Sequence, residues 1–207
     1  MLLLLAATLA TSPVGDPPEA NVAFGGRDTV RVFGPSNKGR EDYPWAAVQT
    51  LMSPRGDAAA VRFCWEAIKY HGCQVRLARP DGTVAELKNS DVRRLLWTPD
   101  GKYLIGAGNN TVRLWNLAGG VRTAIPTPGS VFAPLTRHSS QIVGLTLRNS
   151  ELCVRTEDQW YDRNGQQKDR SVSTTRYVLP TLKPLETISQ PVQAGWEAPC
   201  HLPHTEP

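Results

Sequence analysis

The sequence contains little that would bind nucleic acid or cross a membrane. Its net charge is +4, but lysine and arginine are scattered among acidic residues and never form a run of five. Nucleic-acid binding would require a concentrated basic stripe, so we predict no nucleic-acid partner. The stretch Met1–Thr11 is apolar but far shorter than the ~20 residues that a membrane-spanning helix needs. The sequence therefore predicts no membrane span.

The sequence also lacks the local motifs of several enzyme classes. It has no Gly-x-Ser-x-Gly motif of a serine hydrolase, no dinucleotide-binding fingerprint and no calcium-loop pattern. It has only four histidines, of which His138 is expected in a solvated turn, and it has no Cys-x-x-Cys pair, which argues against zinc. We therefore predict no catalytic, cofactor-binding or metal-binding residues and no cofactor.

Helical periodicity is missing too, and short β-rich runs take its place. No stretch shows a sustained apolar period of 3.6 residues, so no long helix is expected, although Trp65–Tyr70 could form a single helical turn. The stretch Asp91–Leu117 reads DVRRLLWTPDGKYLIGAGNNTVRLWNL, with a Pro-Asp-Gly turn at Thr98–Gly101. Short runs joined by turns of glycine, asparagine and aspartate predict antiparallel hairpins. Trp97 and Trp115 lie within these runs and are expected in the core or in the packing between neighbouring repeats.

The same stretch resembles one blade of the WD-repeat and Tol-system propeller families. The resemblance is carried by Trp97–Lys102 at the turn and by Thr111–Leu117 at the following strand. Weaker copies lie upstream, where Ser53–Gly56 repeats the turn, and downstream, where Phe132–Gly144 repeats the first half of the blade. The resemblance implies an all-β, propeller-like fold with about three to four four-stranded antiparallel blades.

The copies place candidate blades along the chain. We expect the first blade over 45–88, the second over 91–127 and the third from about 130, where the pattern becomes irregular. Gly26–Phe33 matches half a blade, and Asn164-Gly165 predicts the two-residue turn of a long polar hairpin. A small closed ring, a ring completed by a second chain and an open stack all remain open. The protein is expected to be a homo-oligomer if the ring is incomplete.

The N-terminus has features of an export signal. Met1–Thr11 is apolar and uncharged, has the length of a signal-peptide core and ends near a weak small-residue cleavage site. A packed or unstructured N-terminus is the alternative. We divide the chain into a signal-like segment and linker over 1–20, a propeller-like β domain over 21–190 and a proline-rich tail over 191–207. Export predicts a periplasmic or secreted protein.

The chain has four cysteines, Cys64, Cys73, Cys153 and Cys200. An even number of cysteines in a chain with an export-like start favours disulfides. A bond between Cys64 and Cys73 would close the base of a hairpin loop. A bond between Cys153 and Cys200 would tie the tail to the third copy. Four unpaired buried thiols are the alternative.

Aromatic residues on the insertions are the remaining functional signal. Trp65 and Tyr70 lie between the first two cysteines, and Trp160 and Tyr161 are expected in the exposed part of the polar hairpin. Loop aromatics are enriched at binding surfaces, although they also fold back onto their own blade. We predict a non-enzymatic binding or scaffold module with a protein or peptide partner. The alternative is a small propeller enzyme, a hydrolase or lyase, with its site in a central cleft.

Overall fold

A computed structural model describes residues 16–26, 29–40, 42–67, 71–126 and 137–191 of the 207-residue chain. These residues contain fourteen β-strands and no helix, which confirms the predicted all-β class. The strands form four antiparallel sheets, one of two strands and three of four, and none of the sheets closes on itself. In this part of the chain there is accordingly no apolar helix of membrane-spanning length.

Every sheet is built from strands that are consecutive in the chain. The first sheet pairs β1 with β2, and the others run β3 to β6, β7 to β10 and β11 to β14. Strands β1 to β7 are Glu19–Ala23, Thr29–Phe33, Ala46–Met52, Ala59–Glu66, His71–Ala78, Val84–Glu86 and Arg94–Trp97. Strands β8 to β14 are Tyr103–Ala107, Val112–Asn116, Val121–Ala124, Arg137–Arg148, Glu151–Tyr161, Gln167–Val178 and Lys183–Pro191. Each sheet is therefore a series of adjacent hairpins.

Five of these hairpins turn in the same way. In the Pro-Asp-Gly turn, the Gly101 N–H donates to the Thr98 carbonyl at 2.9 Å. Gly101 has a φ of 66°, which residues with a side chain rarely adopt. A left-handed glycine that bonds the carbonyl three residues earlier also closes the turns at Gly56, Gly82, Gly119 and Gly165. The turn that repeats in the sequence therefore closes hairpins in all three larger sheets.

The two-stranded sheet packs on one face of the second sheet. Along β2, buried and exposed residues alternate, because successive side chains of a strand point to opposite faces. The buried residues of this contact are Ala20, Val22, Val30, Val32, Ala59, Val61, Phe63 and Ala78. The half-blade predicted at Gly26–Phe33 is thus the second strand of a hairpin that begins at Glu19, inside the predicted linker.

Two tryptophans form much of the core on the other face of the second sheet. Trp97 and Trp115 are only 7% and 1% exposed, as expected for core residues. The indole N–H of Trp97 donates to the Leu51 carbonyl and that of Trp115 to the Lys88 carbonyl, both at 2.9 Å. Each ring therefore buries its apolar surface while its polar atom is hydrogen-bonded. The remaining buried members are Ala58, Ala60, Val75, Leu77, Leu87, Val92, Leu95 and Leu104.

The fourth sheet is more regular than the sequence predicts. The copy expected to become irregular forms three long strands, β11 to β13, although residues 127–136 lie outside the described part. The prediction of a turn at His138 is wrong, since His138 lies in β11 opposite Trp160 of β12. The long cross-strand pairing between β11 and β12 places this position inside the ladder, where the loss of Pro-Asp-Gly leaves no turn signal.

The polar hairpin turns at the predicted place but with a longer loop. Only Gly165 of the Asn164-Gly165 pair has a positive φ, of 77°, so the predicted two-residue turn is wrong. The loop is closed by the Asp162 N–H, which donates to the Gln166 carbonyl at 2.9 Å. The Asp162 carboxylate accepts hydrogen bonds from the N–H groups of Asn164 and Gln166, at 2.8 and 2.9 Å. These bonds to an aspartate side chain stabilise the longer turn.

The chain divides into two compact units. The first unit contains the described residues up to Gly106 together with Trp115–Val121, and the second contains Ala107–Leu114 and the described residues from Arg122 onward. The boundary therefore passes through the third sheet. Residues 1–15 and 192–207, which include most of the predicted signal segment and tail, lie outside the described part.

Candidate functional site

The four predicted interaction residues lie in different parts of the chain. Trp65 is near the end of β4, in the first compact unit. Trp160 and Tyr161 are at the end of β12, in the second unit. Tyr70 lies outside the described residues. The surroundings of Trp65 and of the β12 pair differ in solvent exposure and in the residues they contact.

A disulfide joins Cys64 of β4 to Cys73 of β5, as the sequence predicts. The two cysteines are direct cross-strand partners, with Cα atoms 4.2 Å apart. Strand pairing continues past the disulfide to Glu66 and His71, so much of the predicted loop insertion is an extension of the hairpin. Cys200, expected to pair with Cys153, lies outside the described residues, among which no cysteine is free.

Trp65 belongs to a cluster of aromatic and cationic side chains beside this disulfide. Its ring meets the Trp45 ring edge-on, with the centroids 6.4 Å apart. The Arg40 Cζ lies 4.8 Å from the Trp65 centroid and 5.8 Å from the Trp45 centroid, so the guanidinium makes cation–π contacts with both rings. Tyr43 belongs to the same turn as Arg40, to whose carbonyl its N–H donates at 3.1 Å. We call Arg40, Trp45 and Trp65 the aromatic cluster.

The aromatic cluster has one side in the core and another open to solvent. Trp45 packs against the buried residues between the first two sheets. Trp45 and Trp65 are half-buried, whereas Arg40 is exposed and Tyr43 is 43% exposed. Trp45 is therefore held against the core, and both rings keep part of their surface accessible to solvent.

Two neighbouring residues fix the positions of the tryptophans. Trp65 lies against its cross-strand partner Gly72, where a Cβ would come within 2.5 Å of the indole Nε1. The Oδ1 of Asn37 accepts the Trp45 N–H at 2.6 Å, and its Nδ2 donates to the carbonyls of Trp45 at 3.3 Å and Asp16 at 3.0 Å. Asn37 is buried, so water does not compete strongly for these bonds.

Arg40, Tyr43 and Trp45 were not among the predicted interaction residues. The available signal was the pair of aromatic residues around Pro44, immediately before a strand. Their meeting with Trp65 depends on the register of β3 against β4, in which Ala46 lies opposite Cys64. Because β3 contains an irregularity after Ala47, this register does not follow from simple alternation of side chains.

The surroundings of Trp160 contradict its expected exposure. Trp160 is only 7% exposed, because it continues the inward face of β12 on which Val154 also lies. Tyr161 is half-buried, and its hydroxyl donates to the side-chain carbonyl of Gln159. Trp160 is therefore a packing residue and does not offer its ring to a partner in this conformation.

The inward face of β12 carries a buried carboxylate. Asp158 has no exposed surface and accepts a hydrogen bond from the Ser173 hydroxyl of β13 at 3.1 Å. The Ser173 hydroxyl also lies 3.0 Å from that of Ser189 on β14. On the other face, Arg170 donates two hydrogen bonds to Glu157, at 2.8 and 2.9 Å, and thereby lowers the pKa of that carboxyl. Asp158 is enclosed and does not reach the surface where a substrate could contact it. The small propeller enzyme remains a prediction from the sequence.

The aromatic cluster has no evident relation to a metal or cofactor. Within the described ranges, no three histidine, cysteine, aspartate or glutamate side chains converge as metal ligands would.

No protein-family model matches the chain, and no curated protein sequence matches it either. The resemblance to WD-repeat and Tol-system propellers therefore stays a prediction based on the motif residues.

Proposed function

We propose that this protein is a non-enzymatic binding module that captures a protein or peptide partner through the aromatic cluster. The observation that carries the proposal is the half-exposed pair Trp45 and Trp65, held together under the Arg40 guanidinium. Tryptophan, tyrosine and arginine are the residue types that most often dominate binding energy at protein interfaces. Tryptophan and arginine both lie in this one cluster, and Tyr43 lies in the adjoining turn.

The residues that hold Trp45 and Trp65 in place favour binding, because a partner would not have to immobilise these side chains. Immobilising a flexible side chain at an interface costs roughly 0.5–1.5 kcal/mol. Gly72 and the adjacent disulfide limit the movement of Trp65, and Asn37 holds the backbone of Trp45. A partner would therefore meet rings that are already positioned.

The cluster suits an extended peptide with both apolar and acceptor groups. An apolar peptide side chain would displace water from the open faces of Trp45 and Trp65. Arg40 carries only donors, so a peptide carbonyl or carboxylate would complement it. This combination of rings and one cation gives the site its selectivity.

We also propose that the three four-stranded sheets are propeller blades and that β1 and β2 belong to a further, incomplete blade. The consecutive order of the strands supports this arrangement, because a blade is a four-stranded antiparallel sheet. An incomplete blade would be completed by a second copy of the chain or remain an open end. The Cys64–Cys73 disulfide supports location in the periplasm or outside the cell, where disulfides persist.

A peptide-display selection against the purified protein tests the binding function. Peptides selected on the wild type are then measured against Trp65→Ala and Arg40→Ala. We expect the Kd to rise at least about 30-fold for Trp65→Ala, since truncation of a dominant interface tryptophan costs ~2 kcal/mol or more. The matched control is Leu185→Ala, which alters an apolar residue of β14 that is 49% exposed and lies in the second unit.

The pattern across these variants decides the proposal. Loss of binding in Trp65→Ala and Arg40→Ala, with retention in Leu185→Ala, supports the aromatic cluster. Melting curves of all variants show whether a lost signal reflects unfolding. Peptides that bind every variant with equal affinity would remove the cluster from consideration, and failure to select any peptide would contradict the peptide-binding function.

A further inference from the structure

The side chains of the aromatic cluster offer hydrogen-bond donors and no acceptor. The guanidinium of Arg40 and the indole rings of Trp45 and Trp65 carry N–H groups, and none of them has an atom that accepts a hydrogen bond. Within the described ranges Arg40 forms no ion pair, including with Asp42 of the same turn. In those ranges the two indole N–H groups make no hydrogen bond, and neither is among the enclosed unpaired atoms. These donors are therefore available to a partner.

Two acceptor side chains next to the cluster do not serve a partner that meets the rings. The Asn37 side chain is buried, its Oδ1 accepts the Trp45 backbone N–H at 2.6 Å, and its Nδ2 donates to two carbonyls. Glu66 follows Trp65 in β4, so its side chain lies on the opposite face of the strand. The best complement to the cluster is therefore a ligand that is rich in acceptors and poor in donors.

A proline-rich segment has this hydrogen-bonding character. Proline has no backbone N–H, and a polyproline II helix has no internal hydrogen bonds, so its carbonyls are free to accept. An ordinary peptide would leave N–H groups unpaired where the rings displace water, which costs free energy. Aromatic surfaces are a recurring recognition site for polyproline II segments. We propose that the partner of the aromatic cluster is a proline-rich segment in the polyproline II conformation, an inference that rests on the proposed peptide-binding function.

The dimensions of the cluster fit such a segment. The ring centroids of Trp45 and Trp65 are 6.4 Å apart. Two residues of a polyproline II helix advance ~6.2 Å along its axis. Two prolines of one segment would therefore contact one ring each, while a carbonyl of the segment accepts from Arg40. The helix forms before binding and the rings are already held in place, so little conformational entropy is lost.

Decaproline, acetylated and amidated to remove its terminal charges, is the probe for this inference. It contains no aromatic residue, so the tryptophan fluorescence of the full chain reports its binding. The comparison peptide has the same length and alternates glycine with serine, so it carries N–H groups throughout and is a flexible coil. We expect decaproline to bind at least about tenfold more tightly than the comparison peptide.

Two variants test the donors of the cluster. Arg40→Gln removes the charged donors, and we expect the Kd for decaproline to rise by about tenfold. Trp65→Phe keeps an aromatic ring but removes the indole N–H, and we expect the Kd to rise by about three- to tenfold. Arg163→Gln is the matched control, because Arg163 is exposed in the turn between β12 and β13, and its loss should leave the Kd unchanged.

The outcomes separate the proline inference from the binding function itself. Equal affinity for decaproline and the comparison peptide would overturn the inference, and so would equal Kd values for Arg40→Gln and Arg163→Gln. Displayed peptides that lack proline but lose affinity for Trp65→Ala would retain the binding function and reject the proline partner. Tighter binding of decaglutamate, or self-association that Trp65→Ala abolishes, would assign the cluster to an acidic peptide or to a second copy and also reject it.

Two remaining outcomes are equally decisive. If neither decaproline nor any displayed peptide binds, the proline inference and the peptide-binding function both fail. If Trp65→Phe does not fold, Arg40→Gln alters only an exposed side chain, and an unchanged Kd for decaproline in this variant is sufficient to reject the inference.

Discussion

Replacing Gly106 by alanine should destabilise the protein, because the added methyl group meets a ring that is held in place. A Cβ at Gly106 would lie 2.7 Å from Cζ3 and 2.8 Å from Cη2 of Trp115, and 3.0 Å from Cγ1 of Val92. Trp115 is almost fully buried, and its indole N–H bonds the Lys88 carbonyl. The methyl group can be accommodated only if the ring moves off this hydrogen bond or β8 bends.

Two opposing effects set the magnitude of this change. Forcing an extra carbon into a packed core costs ~1–3 kcal/mol. Alanine also restricts the unfolded chain more than glycine does, which stabilises the protein by ~0.4–1 kcal/mol where φ is compatible. Gly106 is not in the left-handed region, so this gain applies. We expect a net loss of about 1–2 kcal/mol, or roughly 2–8 °C in Tm for a chain of this size.

Urea unfolding followed by tryptophan fluorescence measures the loss. Gly26→Ala is the matched control, because its Cβ would lie 3.6 Å from the nearest atom, the Phe24 carbonyl oxygen, at an ordinary contact distance. Trp115→Phe removes the outer ring atoms that collide with the new methyl group. In a double-mutant cycle, the penalty of Gly106→Ala should therefore shrink by about 1 kcal/mol in the Trp115→Phe background.

Three results would refute this reasoning. Gly106→Ala could unfold at the same urea concentration as the wild type, which would mean that the core relaxes without cost. The full penalty could persist in Trp115→Phe, which would mean that the indole ring is not the obstacle. A similar loss in Gly26→Ala would point to a general effect of replacing glycine.

Two further predictions concern the disulfide and a buried tyrosine. Replacing Cys64 and Cys73 together by serine should lower the free energy of unfolding by about 2.5 kcal/mol on the chain-entropy model, because the bond spans a sequence separation of 9. An unchanged urea midpoint in the absence of reductant would contradict this. Burial raises the pKa of Tyr177 to about 12, from an ordinary value of 10.0. Its neutral form therefore stabilises the fold fully below pH ~10, and this contribution is lost as the pH rises through ~12. A phenolate absorbance titration should show a late component that is missing in Tyr177→Phe, and titration of all tyrosines near pH ~10 in the folded protein would be the contrary result.

The hairpins were predictable because their signals are local. The turn Thr98–Gly101 and its copy Ser53–Gly56 each carry a glycine at the position that needs a positive φ. The pairing of Cys64 with Cys73 was predicted from the even number of cysteines and from their positions at the two ends of a short insertion, and the structure confirms it. The loop at Asn164-Gly165 was located correctly but not in its conformation, because the Asp162 side chain binds two N–H groups and lengthens it.

The aromatic cluster was predictable only in part. Trp65 was selected because it lies beside a cysteine in an insertion, whereas Arg40 and Trp45 lie in a connection without a repeat pattern. Their contact depends on the strand register of β3 and β4 and on the hydrogen bonds of Asn37.

The sequence by itself determined the all-β class, the hairpin order and the Cys64–Cys73 pairing. These features follow from short-range chemistry: left-handed glycines, β-rich runs and cysteines at the ends of a short insertion. Only the tertiary structure decided that Trp160 is buried and that Trp65 meets Trp45. A shift of one residue in a strand reverses which side chains face the core, and no local pattern specifies that register across distant segments.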